Sequence, residues 1–209
     1  MMLEAHSPLI HELVAEHAAR QPDAVALSLG DTTATYQRLH FVADGFAAKM
    51  RTHGVRPGEV VAVLMHRTPR LVVALLAVLR AGAAYLALDP EDSEARHAEL
   101  VRGAGVRFLV SDLEDGLPVG LKVLTPETPV AEGATDPGAP NQTSDSPAYI
   151  SYSADQSAGT PVSHRALAEF VTRPNGLVLG ADASAVALWA PLVRGGHLAM
   201  ADMPALTGR

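Results

Sequence analysis

The chain has 209 residues, of which 48% are hydrophobic and 19% charged, which suits one globular domain or one and a half and excludes a disordered chain. Sixteen basic against 23 acidic residues give a net charge of −7, so the basic face that nucleic-acid binding requires is not expected. With no cysteine, a disulfide framework, a thiolate zinc site and an iron–sulfur cluster are excluded, and a cytoplasmic location is expected.

Met1 to Ile10 has neither a basic start nor a long apolar run, so no secretory leader is expected. Ser7-Pro8 reads as a cap followed by proline at the first helical position. Ile10, Leu13, Val14 and Ala18 then share a helical face, and Pro22 ends that helix. Ala24 to Leu29 reads as a strand and Gly30-Asp31 as a turn. Thr35 can cap a second helix with Leu39, Val42, Ala43, Phe46, Ala47 and Met50 as its apolar stripe, closed by Gly54.

Val60 to Leu64 is short and apolar, as a buried strand should be. Thr68-Pro69 opens a helix that is apolar nearly all round through Leu79, and so should be buried. Gly82 ends it, and Ala84 to Leu88 is the next strand. The apolar run from Leu71 to Leu88 is broken by Arg80 and Gly82, so no bilayer span is expected. Ser93 to Gly103 reads as an amphipathic helix, Arg107 to Ser111 as a strand and Gly120 to Leu124 as another. This alternation predicts an α/β fold, a mostly parallel sheet with helices on its faces.

Thr125 to Ser146, rich in Pro, Gly, Thr, Asp and Ser, reads as a linker or mobile loop. The expected organisation is therefore an N-terminal α/β unit over residues 1–125, a linker over 126–146 and a partial second unit over 147–209. In that last unit Ala148 to Tyr152 is a strand and Ser153 to Val162 a polar loop. Ser163 caps a helix, Val186 to Val193 is strongly apolar, Gly195-Gly196 turns, and His197 to Ala201 is the last strand.

Generic catalytic motifs are absent. No Walker phosphate loop, no dinucleotide-binding glycine fingerprint and no nucleophile elbow occurs. The nine histidines are scattered without ligand spacing, so no metal site is expected. Glu91, Asp92 and Glu94 read as acidic groups complementing a helix start.

Five segments, in order, nevertheless carry a resemblance. They are Ile10 to Leu27, Thr35 to Leu39 (TYQRL), Leu75 to Pro90 (LLAVLRAGAAYLALDP), Ala148 to Leu167 (AYISYSADQSAGTPVSHRAL) and Ala181 to Gly196. They resemble the opening and the first four core motifs of adenylation domains of nonribosomal peptide synthetases, in the acyl-adenylate-forming superfamily. The Leu75 to Pro90 match is the most specific. The resemblance implies the N-terminal part of the adenylate-forming fold and less than half of such a domain.

The departures from the family pattern bear on function. In that family the third motif reads roughly Tyr-Thr-Ser-Gly-Ser-Thr-Gly-x-Pro-Lys-Gly. Glycines admit backbone N–H groups to the triphosphate, hydroxyls donate to it, and the lysine offsets its charge. The corresponding loop has Ser153, Asp155, Ser157, Gly159 and Thr160, lacks two of three glycines, and looks a few residues short. Its lysine is absent, since Lys49 and Lys122 are the only lysines in the chain. Asp155 is a negative charge where a polyanion would sit; like charges ~4 Å apart repel by about 4 kcal/mol at an effective dielectric of 20. The loop therefore reads as vestigial.

The fourth motif is eroded too. Asp182 matches the aspartate that, by the resemblance, would hold a substrate ammonium, in a pocket that also reads as vestigial. The family's later adenine, ribose and hinge motifs and its C-terminal lysine do not follow.

Together these features predict a truncated, catalytically inactive relative with no catalytic residues and no cofactor. Its expected role is that of an interaction or accessory component in nonribosomal peptide biosynthesis, with peptide synthetase or carrier-protein components as partners and no nucleic acid or membrane. Two alternatives stand beside it: half of a split enzyme completed by a second chain, and a carrier-protein or small-molecule binding module. Val186, Leu188, Trp189, Leu192 and Val193, packed by later segments in complete members, are expected to form an exposed apolar interface, covered by a homodimer or another partner.

Overall fold

The structure, a computed structural model, describes residues 8–127, 136–152, 159–172 and 183–202. The first helix, α1, spans Ile10–Arg20. Of the expected Ser7-Pro8 start, Ser7 lies outside the described residues and Pro8 precedes the helix: Leu9 is the flanking residue, and its N–H donates to Glu12 Oε2 at 2.9 Å. The Glu three positions into the helix thus takes the capping role instead. Strands β1 (Val25–Leu29) and β2 (Thr32–Thr35) form a hairpin around Gly30. β2 was not anticipated, because its Thr-Thr-Ala-Thr run has no apolar alternation to read. Thr35 Oγ1 accepts from the Arg38 N–H at 3.2 Å and opens α2 (Tyr36–Thr52).

A second group of elements builds the central sheet. It comprises β3 (Val60–Leu64), α3 (Pro69–Arg80), β4 (Ala84–Leu88), α4 (Glu94–Gly103), β5 (Phe108–Ser111) and β6 (Lys122–Leu124). After these come β7 (Pro147–Ser151), β8 (Thr160–Ser163), α5 (His164–Thr172), α6 (Ala183–Val193) and β9 (Leu198–Ala199). The six-stranded sheet has the order β6-β5-β3-β4-β7-β8, and only β8 runs antiparallel to its neighbour. A three-stranded sheet, β2-β1-β9, closes the opposite end of the chain onto the hairpin.

The period-two alternation of β3 and β4 separates two apolar layers. Val61, Val63 and Tyr85 face a large core shared with α1, α2, α3, α5 and α6. Ala62, Leu64, Leu86 and Leu88 face a smaller one capped by Leu100 and Val101 of α4. Eight of the twelve residues of α3 are buried, as expected from its apolar circumference.

Two local devices set how the elements meet. Gly82, at φ +88°, ends α3, where a Cβ would lie 2.6 Å from Pro140 Cγ and 3.2 Å from Pro57 Cα. Only glycine admits both the left-handed backbone and that approach. Tyr36, fully buried, shares its hydroxyl proton between the Leu192 carbonyl at 3.0 Å and the Gly196 carbonyl at 2.7 Å, and burial pushes its pKa up to about 12. This ties the start of α2 to the end of α6. Tyr36→Phe leaves two carbonyls without that donor, so a loss of about 2 kcal/mol is expected in a urea titration. A change within about 0.5 kcal/mol of zero would show that solvent or another group replaces the hydroxyl.

Candidate functional site

The residues expected to form the phosphate loop are carried by an antiparallel stem. β7 and β8 pair as Pro147↔Ser163, Tyr149↔Val162, Ile150↔Pro161 and Ser151↔Thr160. β8 takes over the last three residues of the expected loop; the proline and polar residues of Thr160–Ser163 conceal a strand. Pro161, which has no N–H to give a ladder, is tolerated because β8 is the sheet's edge. β7 runs parallel to β4 through Tyr85↔Tyr149. The stem therefore opens at the carboxyl end of the parallel strands, where open α/β sheets bind ligands.

Gly159 and Thr160 lie at the foot of that opening. A Cβ on Gly159 would fall 2.3 Å from Ile150 Cγ2 and 2.6 Å from Tyr152 Cε2, so the glycine lets the returning strand close on the Tyr152 ring. Thr160 is exposed. Ser153, Asp155 and Ser157 lie outside the described residues, as does Asp182.

Polar and charged groups along the same edge meet one another. Arg67, after β3, approaches the buried Asp89 carboxylate, after β4, at 3.9 Å. His66 and Asp112 are 3.3 Å apart, and the His66 N–H also donates to Asp112 Oδ1 at 3.1 Å. The next cation after the stem, Arg165, lies at the opposite, amino end of β7 and forks onto Asp145 at 2.9 and 3.2 Å. Both lysines are engaged elsewhere. Lys122 stands on β6, the opposite edge of the sheet, and donates to the His53 carbonyl at 3.0 Å; Lys49 donates to the Pro126 carbonyl at 2.7 Å.

Beyond the stem, the first residue of α5 makes a buried contact that the sequence did not signal. His164 is fully buried, and its Nδ1 accepts from the Ile10 N–H at 3.2 Å, so one neutral imidazole satisfies the start of α1. The His11 ring meets it edge to face at 5.6 Å between centroids. His11 Nδ1 and His164 Nε2 are both buried with no hydrogen-bond partner among the described residues. Burial lowers the pKa of His164 to about 4. Burial, then the neighbouring His164 and Arg80, lower that of His11 to about 3. This is a neutral structural pair, and nine scattered histidines carry no pattern from which to find it.

The expected apolar interface is corrected. Leu188, Trp189 and Leu192 are fully buried and Val193 is 6% exposed, within the chain's own core, while Val186 packs half-buried against it. The reason is that α6 lies against α1 and α5. The Trp189 indole N–H donates to the Tyr85 hydroxyl at 3.0 Å. Among the described residues, Leu188, Trp189 and Leu192 therefore present no apolar surface for a partner. Among the described residues, no group of three or more His, Asp or Glu is placed to hold a metal ion, and no helix is long and apolar enough to cross a membrane.

The six-stranded sheet, with an apolar layer on each face and the antiparallel β7–β8 stem at one side, defines an α/β domain. The AMP-binding enzyme family model matches residues 14–206, and the chain belongs to that family.

Its relatives are peptide synthetases. Malpibaldin synthetase of Mortierella alpina is 31% identical over 95% of this chain, and phosphinothricin tripeptide synthetase PhsB of Streptomyces viridochromogenes is 47% identical over 47% of it. The chain spans only 4% and 8% of those two proteins.

Among solved structures, Klebsiella oxytoca NpsA in complex with 3-hydroxyanthranilyl-AMSN superposes with a TM-score of 0.80 at 24% identity, covering 95% of this chain and 43% of NpsA. The nonribosomal peptide synthetase FmoA3 superposes at 0.76 with 30% identity, covering 94% of this chain and 23% of FmoA3. The α/β architecture is that of the N-terminal subdomain of such adenylation domains.

Proposed function

We propose that this chain is a non-catalytic adenylation-domain relative that serves as an interaction or accessory component of nonribosomal peptide biosynthesis. Its partners are peptide synthetase or carrier-protein components in the cytoplasm. The observation that carries the reading is the short β7–β8 connection. β8 begins at Thr160, directly after the loop's one retained glycine, and no lysine follows Lys122. Phosphate loops work through backbone N–H groups freed by glycine and through a cation, and this connection has lost most of the first and all of the second. Asp155 adds a negative charge to what is left. A family likeness in fold does not restore those terms.

Isothermal calorimetry on the full chain should show no ATP binding tighter than millimolar, about −4 kcal/mol. No pyrophosphate exchange should occur with any standard amino acid. Asp155→Gly should gain no affinity, because removing one repulsion supplies neither the cation nor the glycines. Micromolar ATP affinity in the parent would overturn the inactive reading, and a thermal shift with ATP in Asp155→Gly alone would show an intact loop held shut by one charge. The accessory role is tested separately by titrating the chain with purified carrier and condensation domains encoded beside it. Saturable binding to one of them is expected, and its absence for all of them would remove that role.

A further inference from the structure

A second concave site lies away from the β7–β8 stem. It is a groove of about 340 Å³ between α2, the start of α3 and the β1–β2 hairpin. That volume falls in the range of small-ligand pockets. Val42 and Val73, backed by the buried Leu27 and Leu39, make its wall apolar, and Arg38, Arg70 and Glu127 stand on it. No lining residue belongs to β7, β8 or α5, so the groove is independent of the loop and of the reading built on it.

The charges on the groove do not cancel. Arg70 is paired with Glu127. Arg38 is exposed, and its side chain has neither ion pair nor hydrogen bond among the described residues; only its main-chain N–H is engaged, by Thr35. Among the described residues the groove thus carries one guanidinium with no counter-charge, on a chain whose net charge is −7. A guanidinium presents a planar fork of N–H donors that matches a carboxylate in two parallel hydrogen bonds. The apolar wall matches a hydrocarbon body. A cation would meet Arg38 with like charge, and a neutral hydrocarbon would leave it unused. We propose that this groove binds a small apolar carboxylate, its hydrocarbon on Val42 and Val73 and its carboxylate on Arg38.

The test uses decanoate, below its micellar concentration, as the probe on the full chain labelled with nitrogen-15. Saturable submillimolar binding is expected, with amide shifts confined to α2, the start of α3 and the β1–β2 hairpin. Decyltrimethylammonium and decan-1-ol should bind at least about tenfold more weakly. Arg38→Gln should weaken decanoate about tenfold, and Val42→Trp should abolish its binding by filling the groove. Arg38 is exposed and Val42 half-buried, so both variants should keep the parent melting temperature. If Val42→Trp fails to fold, Arg38→Gln and the ligand series still decide. Absence of saturable binding, equal affinity for the ammonium, or indifference to Arg38→Gln would overturn the proposal. So would sedimentation of the parent as a dimer that Val42→Trp dissociates, which would assign the groove to a second copy.

Discussion

Acidification from pH 6.5 to 4.5 is expected to cost the fold about 2 kcal/mol per pH unit, an effect of nearly two protons taken up on unfolding. The protons belong to His11 and His164. In the unfolded chain each titrates near 6.5, whereas in the fold burial holds them at about 3 and about 4. The stability they permit is therefore fully present above the unfolded value. It is lost as the pH falls through the window between the unfolded and folded values. Asp136 has the same sign of dependence but acts below this window. The Arg51 fork, at 2.7 Å to each carboxylate oxygen, holds its pKa below the usual carboxylate value, so its contribution is lost only at lower pH.

Urea titrations at half-unit pH intervals give the slope. His164→Asn separates titration from structure, since the amide oxygen can still accept the Ile10 N–H while the side chain no longer ionises. The slope should fall by about half in that variant and close to zero when His11→Asn is added. A slope unchanged in the double variant would place the titrating groups elsewhere.

Trp189→Ala is expected to remove about 4 kcal/mol, a large share of the stability of a domain this size. Trp189 is fully buried, donates to Tyr85 at 3.0 Å, and lies 6.4 Å from that ring, which in turn stacks on Tyr149 at 5.5 Å. Truncation therefore opens a cavity at the junction of α6, β4 and β7 and withdraws a hydrogen bond at once. Trp189→Phe keeps most of the volume and should cost less than half as much. Because Trp189 is the only tryptophan, its fluorescence reports the site directly. Emission should be blue-shifted and insensitive to iodide in the native chain, and both features should vanish on unfolding. Quenching of the native protein, or emission that shifts with protein concentration, would return Trp189 to the role of an interface residue.

The sequence by itself determined the local elements. Thr35 and Ser93 sit where their hydroxyls accept a helix N–H, and Ser163 does the same for α5. Gly30, Gly54 and Gly82 take the left-handed backbone that a turn or a helix end needs. Short apolar runs alternating with amphipathic helices sufficed for a parallel sheet, and the motif at Leu75 to Pro90 sufficed for the family. These signals are local, because caps, turns and periodicity act over a few residues.

Only the tertiary structure decided what depends on contacts distant in sequence. β2 and β8 are strands because a partner strand completes their hydrogen bonds, not because their own residues favour the state. The apolar run of α6 reads the same whether it meets another chain or its own core, and only its position against α1 and α5 shows that the core wins. The His11–His164 pair joins residues 153 positions apart in the numbering, and Arg38 gains its meaning from the groove around it. Burial, pairing and uncompensated charge are properties of the folded neighbourhood, and no pattern in the linear chain encodes them one residue at a time.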